Sequence, residues 1–167
     1  TFGHETTELL KPVLEQALTE RADVQVALIG QGSCEFAARL RSFGHRVVAT
    51  GALDSHGVAR HLAACDVMIQ PFPDGASTRR GSIMAALALG KPVLSNEGMR
   101  SEALWRETGA VALEPSIDRL PDRLLHLLDD PRALASLGVA GKHLYEERFS
   151  LEHTVSVLRN QAANNAS

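Results

Sequence analysis

The chain alternates between two hydrophobic rhythms. Over residues 5–21 the apolar positions Leu9, Leu10, Val13, Leu14, Ala17 and Leu18 recur at the spacing of one helix face, with Pro12 inside the run. A helix is expected there, with Pro12 near its first turn or at a kink. Val24-Gln25-Val26-Ala27-Leu28-Ile29 is then short, apolar and β-rich, and it stops at Gly30-Gln31-Gly32. That is the pattern of a buried strand entering a glycine turn. The exchange repeats down the chain. Further strands are expected over 47–50, 67–70, 92–95 and 110–113, and helices over 34–43, 56–65, 82–89 and 100–107. Gly44, Gly51 and Gly90 close elements, and Pro71 and Pro73 stop the third strand. Three more helices are expected at about 120–128, 131–147 and 151–161.

Strands that are apolar throughout, rather than alternating, predict cover on both faces. The expected fold class is therefore α/β: a doubly wound, mostly parallel, Rossmann-like sheet. Such sheets bind ligands at the carboxyl ends of their strands, which singles out the loops at 30–33, 51–55, 71–81 and 96–101. The opening is irregular. Thr1-Phe2-Gly3 leads straight into a helix, where a doubly wound domain would start with a strand, so that first strand is expected to be absent or replaced.

Composition narrows this only a little. A chain of 167 residues with 44% apolar content supports one domain with a real core, expected over 1–160. The polar, small residues 161–167 are expected to form a disordered tail. A net charge of -3 excludes a general polyanion binder, and one tryptophan with five phenylalanines argues against an aromatic nucleic-acid platform. Cys34 and Cys65 are far apart and match no disulfide or zinc spacing, so reduced thiols and a cytoplasmic setting are expected. No apolar run reaches the ~18 residues of a membrane span, and no signal-peptide pattern stands at the start.

The sharpest candidate for chemistry is Ser77-Thr78-Arg79-Arg80-Gly81-Ser82, which opens an apolar helix. A helix N-terminus carries unpaired N–H groups and a partial positive charge. Gly81 would let a ligand approach the backbone, Ser77 and Thr78 could donate to its oxygens, and Arg79 and Arg80 could fork onto a phosphate or carboxylate. The competing reading is a solvated arginine pair with one guanidinium held by Asp74. Asn96-Glu97-Gly98-Met99-Arg100-Ser101-Glu102 also follows a strand and opens a helix. There Glu97 or Glu102 could bond a polyol, although acids in a first helical turn are ordinary dipole partners. Gly30-Gln31-Gly32-Ser33 is half a dinucleotide fingerprint and reads better as a turn. The seven histidines are scattered, and no set has metal-ligand spacing. His4 stands apart, because it follows Gly3 at the expected mouth of the sheet.

The run 64–72 (Ala-Cys-Asp-Val-Met-Ile-Gln-Pro-Phe), then 77–82, then 86–95 (Ala-Leu-Ala-Leu-Gly-Lys-Pro-Val-Leu-Ser) resembles the C-terminal domain of GT-B glycosyltransferases of retaining family 4, also called group 1. Residues 26–32, 127–131 and 147–150 are similar to further family segments, so the resemblance covers nearly the whole chain. It implies a domain that binds a nucleotide-diphosphate sugar as donor substrate, with no metal or other cofactor. It also implies a separate N-terminal acceptor domain, without which the chain should not turn over. Peripheral association of the whole enzyme with a membrane is compatible with it. On this reading Gly3 faces the diphosphate, His4 beside it contacts the ligand at the mouth of the sheet, Gly51, Ala52 and Leu53 lie near the base, and Ser77, Thr78, Arg79, Arg80 and Gly81 hold the diphosphate. The departures are specific. The family's usual two glutamates, eight positions apart, align with Ser77 and Ala85, and its usual basic pair after the first glycine loop has no counterpart here. No catalytic residue is assigned. Two alternatives therefore stay open: a GT-B-like module that has lost donor chemistry, and a different doubly wound nucleotide enzyme such as an epimerase.

Overall fold

The computed structural model describes residues 2–164. Helix α1 (His4–Glu20) leads to strand β1 (Val26–Leu28) and helix α2 (Ser33–Arg39). A 3-10 stretch at Arg41–Arg46 precedes β2 (Val47–Ala49) and α3 (Ser55–Ala64). Then come β3 (Met68–Ile69), α4 (Gly81–Ala88), β4 (Val93–Asn96), α5 (Leu104–Thr108) and β5 (Ala112–Glu114). A 3-10 turn at Ile117–Arg119 opens the final helices α6 (Leu120–Leu128), α7 (Pro131–Arg148) and α8 (Leu151–Asn164). The expected order of elements is present. Of the expected tail, residues 161–164 continue α8, and 165–167 lie outside the described residues.

All pairings are parallel, as the α/β reading requires, but they form two sheets. β1 pairs with β2 in the register Val26↔Val47 to Leu28↔Ala49. β3, β4 and β5 pair in that order, with Met68↔Val93 and Leu94↔Ala112 fixing the register. Between the free edges of β1 and β3 lies an apolar slot of about 460 Å³, bordered by Ala27, Ile29, Val67 and Ile69. The expectation that every strand is covered on both faces holds only for β4, whose four residues are all buried. It is the central strand of its sheet, whereas edge strand β2 leaves Val48 54% exposed.

Three buried clusters hold the layers together. Leu10, Leu14, Leu28 and Phe36 join α1, β1 and α2. Val13, Ala17, Leu94 and Leu124 join α1 to β4 and α6. Ile83, Leu87, Val93, Trp105 and Leu144 join α4, β4, α5 and α7. Helices α4 and α7 pack closely because α7 carries glycines at the crossing. A Cβ on Gly138 would stand 2.5 Å from the Gly90 carbonyl oxygen, and one on Gly141 would stand 2.7 Å from a Leu87 methyl. The fifth helix is shorter than its pattern predicts, starting at Leu104 rather than near residue 100. Residues 97–101 form a turn instead: Gly98 N–H donates to Ser101 Oγ within it at 3.1 Å, and Arg100 N–H donates to the Asp74 carbonyl of the neighbouring loop at 2.8 Å.

Candidate functional site

The carboxyl ends of parallel strands share one rim, and the loops that leave it are tied together in two groups. At the β1–β2 end, Gly30 N–H donates to Thr50 Oγ1 at 3.0 Å and Gly51 N–H donates to the fully buried Ser33 Oγ at 2.9 Å. These bonds fix Gly51, Ala52 and Leu53 beside the Gly30–Ser33 turn. Asp54 then caps α3 by accepting from Gly57 N–H at 2.7 Å. Gly3 reaches the same corner. Phe2 N–H donates to the Gln31 carbonyl at 3.0 Å, and Gly3 forms the N-cap of α1 with no side-chain cap. His4 is strongly exposed and lies 3.8 Å from Glu8, one helical turn on. The Glu8 carboxyl is held below its usual range chiefly by its hydrogen bond with Arg39. His4 is thus an exposed first-turn residue of α1, and no contact brings it to the arginine loop among the described residues.

The loop from β3 to α4 is held far more firmly. Asn96, at the end of β4, is buried and grips this loop from below. Its Oδ1 accepts from Phe72 N–H at 2.8 Å, and its amide donates to the carbonyls of Phe72 and Glu97 at 2.9 Å each. Trp105 Nε1–H donates to the Ala76 carbonyl at 3.1 Å from inside the core. The carboxylate of Glu102 takes two bonds from one residue, Thr78 N–H and Thr78 Oγ1–H, both at 2.7 Å. A close approach of two glycines finishes the clamp: a Cβ on Gly98 would lie 2.5 Å from the Gly75 nitrogen.

These bonds sort the expected site residues. Ser77 is buried, and its carbonyl accepts from Arg80 N–H at 3.0 Å, so it shapes the turn. Thr78 turns both of its donors to Glu102, so without a ligand the two residues brace the loop, while the Glu102 carboxylate keeps further lone pairs beyond these two bonds. Arg79 is exposed. Arg80 is half enclosed. Its guanidinium lies 4.4 Å above the Phe72 ring and pairs with Asp74, which also pairs with Arg100 at 3.2 Å. The Arg80 Nε is buried and has no partner among the described residues. The ion pair expected as the competing reading, one guanidinium on Asp74, is therefore formed by Arg80.

What remains open is the end of α4. The N–H groups of Gly81, Ser82 and Ile83 precede the first helical bond, from Met84 N–H to the Arg80 carbonyl at 3.1 Å. No side chain among the described residues caps them, whereas Asp54 caps α3 and Asp130 caps α7. A Cβ on Gly81 would meet nothing within 4 Å. The helix end thus presents the backbone N–H groups of Gly81 and Ser82 and a partial positive charge, with Arg79 exposed just before it and Arg80 held by Asp74. This arrangement can stabilise an anionic oxygen cluster. Ala85, where the family's second glutamate aligns, is one turn into α4 and lines the slot together with Gly81 and Ser82, so the helix end opens onto that slot. The sequence reading passed over Asn96 and Trp105. Both carry a readable sign, since a polar residue that ends an apolar strand and a lone tryptophan beside a loop must find hydrogen-bond partners when buried.

Comparisons with known proteins identify the family and the fold. The model of the family "Glycosyl transferases group 1" matches residues 5–130. A GDP-mannose-dependent mannosyltransferase of Corynebacterium glutamicum, named for a monoacylated phosphatidylinositol monomannoside, is 30% identical over 151 residues. That match takes in 83% of this chain and 39% of the relative, so the chain spans about two fifths of the relative's length. Among solved structures, a mutant of S. aureus TarM in complex with UDP and an α-GlcNAc-glycerol superposes with a TM-score of 0.73 at 15% identity, over 96% of this chain and 33% of TarM. HepE of Anabaena in complex with UDP superposes with a TM-score of 0.70 at 19% identity, over 95% of this chain and 44% of HepE. A sucrose-phosphate synthase of Thermosynechococcus elongatus gives 0.71 at 20% identity, over 96% and 42%. Each of these superpositions covers a GT-B domain with the parallel α/β architecture described above.

Proposed function

The chain belongs to the group 1 glycosyltransferases, and from that premise we propose that it is the donor-binding domain of an enzyme that transfers a sugar from a nucleotide-diphosphate sugar. The observation that carries this reading is the open N-terminus of α4, without a side-chain cap and just after Arg79 and Arg80, on the rim where parallel sheets bind ligands. The diphosphate would lie at Gly81, with the base toward Gly51, Ala52 and Leu53 and the glycine turn of Gly3 on the far side. When the bond between the sugar and the diphosphate breaks, negative charge grows on the leaving oxygen. The backbone N–H groups of α4 would meet that charge without rearranging, and Arg80 would join them by exchanging Asp74 for the diphosphate. No metal is called for in this scheme. Retention of the anomeric configuration follows the family. Turnover would need an acceptor held against the donor by the rest of the enzyme. The mannosyltransferase relative is named for an acylated acceptor, and a lipid acceptor of that kind would bring the whole enzyme to a membrane surface from its cytoplasmic side. No helix is long and apolar enough to cross a membrane among the described residues.

The second reading, a GT-B-like module without donor chemistry, is favoured by two observations: Arg80 is already paired with Asp74, and the positions of the family glutamates hold Ser77 and Ala85. Titration calorimetry with UDP-, GDP-, TDP- and ADP-sugars separates the two readings. Donor binding predicts that one of these binds and that Arg79→Ala and Arg80→Ala each weaken it about tenfold, the scale of a lost charged hydrogen bond. If no sugar nucleotide binds and Arg80→Ala lowers only the thermal stability, the second reading replaces the first.

A further inference from the structure

One carboxylate on the rim is shared by two arginines and satisfies neither fully. Asp74 stands in the loop from β3 to α4, and its side chain is 30% exposed. Its Oδ1 accepts from an Nη of Arg80, and its Oδ2 lies 3.2 Å from Arg100 Nε. A guanidinium can make two parallel bonds along one edge, and a carboxylate split between two partners gives that to neither. The Arg80 Nε lies on the same edge as the paired Nη, yet it is buried without a partner among the described residues. A buried donor left alone is costly and calls for an explanation.

The two arginines are set in place by groups other than that carboxylate. The Arg80 guanidinium lies 4.4 Å above the ring of Phe72, which is buried and whose N–H donates to Asn96 Oδ1 at 2.8 Å. Arg100 belongs to the loop after β4, and its backbone N–H donates to the Asp74 carbonyl at 2.8 Å. The two loops touch so closely that a Cβ on Gly75 would stand 2.4 Å from the Gly98 nitrogen. The loops thus keep both arginines at one seat, and only the Asp74 side chain has to turn toward water to empty it. Arg80 immediately precedes Gly81, so this seat adjoins the open end of α4. A diphosphate suits it better than a carboxylate does. Its four non-bridging oxygens can take Nε and Nη of Arg80 together and still reach Arg100.

We infer that Arg100 is a further diphosphate-binding arginine, and that Asp74 is a built-in stand-in for the ligand, displaced from Arg80 and Arg100 when the diphosphate binds. This inference rests on the donor-binding reading and adds to it a residue from a second loop and a carboxylate that sets the affinity from within. In the ligand-free protein Asp74 offsets the repulsion between two neighbouring guanidinium groups. In the complex it is a negative charge beside a negative ligand. Removing its charge therefore tightens binding, whereas removing a carboxylate that only braced the loop would weaken it.

The test titrates the wild-type chain, Asp74→Asn, Arg100→Gln and the double variant with inorganic pyrophosphate, UDP and GDP, followed by calorimetry. Asparagine keeps the size of the side chain, and the backbone bond from Arg100 to Asp74 is untouched. Diphosphate affinity should rise about tenfold in Asp74→Asn and fall about tenfold in Arg100→Gln, the scale of one charged hydrogen bond. Arg100→Gln should cost more in the Asp74→Asn background, where Arg100 serves the ligand alone. Uridine and guanosine, which lack phosphate, should respond to neither substitution. Should Asp74→Asn fold poorly, the Arg80 Nε–H resonance of the wild-type chain, assigned with Arg80→Lys, is the second readout. Added pyrophosphate should shift that signal and slow its exchange with water. Binding seen only in Asp74→Asn also supports the inference. Diphosphate binding to the wild-type chain with equal or weaker affinity in folded Asp74→Asn, or with an unmoved Arg80 signal, overturns it and leaves donor binding standing. No diphosphate binding to any of these proteins overturns the donor reading and this inference with it.

Discussion

The β1–β2 side and the β3–β4–β5 side grow from the same alternation of strand and helix, yet they hold their loops in different ways. On the first side two three-residue strands form an isolated pair, with Val48 on the open edge. Its loops are joined by two backbone-to-hydroxyl bonds, from Gly30 to Thr50 and from Gly51 to Ser33. On the second side a fully buried central strand supports a loop that Asn96, Trp105 and Glu102 grip from three directions. A two-stranded sheet is marginal alone, and three strands under helices are not. The difference teaches where the scaffold puts its precision. The helix end with the arginines is mounted on the stiff side, while the corner at Gly3 and Gly51 leans on its neighbours. A ligand spanning the rim would meet one preset surface and one that can adjust.

The largest effect that would break this comparison is the loss of Trp105. Trp105→Ala empties a fully buried indole site and orphans the Ala76 carbonyl, so it should cost about 3–5 kcal/mol of packing, and about 1 kcal/mol more for the carbonyl. Phe36→Ala on the first side removes an equally buried ring with no hydrogen bond, and should cost about 3 kcal/mol. Urea unfolding measures both. If Phe36→Ala proved the costlier, the stiff side would have been misidentified. Nucleotide affinity should fall with Trp105→Ala even under folded conditions, because the loop that carries Arg79 and Arg80 loses its anchor.

Which parts of this were legible in the sequence follows from the same contrast. The order of elements was readable because each strand is a short apolar run bounded by glycine or proline, and each helix has one apolar face. The start of α5 was misplaced because residues 97–101 have a helical opening's composition but bond to the neighbouring loop, which a local pattern cannot show. Cover on both faces was over-assigned to β2 for a similar reason: Val47 and Val48 read alike, yet Val48 sits on an edge. In the site, the arginines and the open helix end were visible as a residue pattern. Arg80's partner was named as an alternative, and Asp74 six residues earlier made it readable. The pairing of Thr78 with Glu102 was not, since it joins positions 24 residues apart.

A second, smaller test sets two glycines against each other. Gly32 and Gly75 both have positive φ, +83° and +89°, so alanine is strained at either. At Gly75 the new Cβ would stand 2.4 Å from the backbone nitrogen of Gly98, in the clamped loop. At Gly32 it would meet the Phe2 carbonyl at 3.1 Å, at the entry of the chain, where a small shift relieves it. Gly75→Ala should therefore cost about 1–3 kcal/mol, plus the strain common to both, while Gly32→Ala shows the common part only, about 1 kcal/mol. Equal thermal shifts for the two would mean that the loop at Gly75 yields as readily as the entry at Phe2, and the contrast in stiffness would fall.

The smallest effect concerns the two thiols. Cys34 is exposed on the first side, and Cys65 lies half-buried where α3 meets the slot. Burial pushes the Cys65 thiol up; Asp66 adds to this, and Lys91 partly opposes it. An acid whose pKa is raised on folding stabilises the fold while it stays neutral. That contribution is complete below the unfolded thiol value of about 8.5 and is lost as the pH climbs through the raised value. Labelling with a thiol reagent at pH 8 should therefore mark Cys34 first, with Cys65 lagging because less of it is thiolate. The lag should shrink as the pH rises toward 10. A lag that stayed constant with pH would show that access to the slot, and not ionisation, sets the rate at Cys65, and would make that thiol a direct reporter of whatever fills the gap between the sheets.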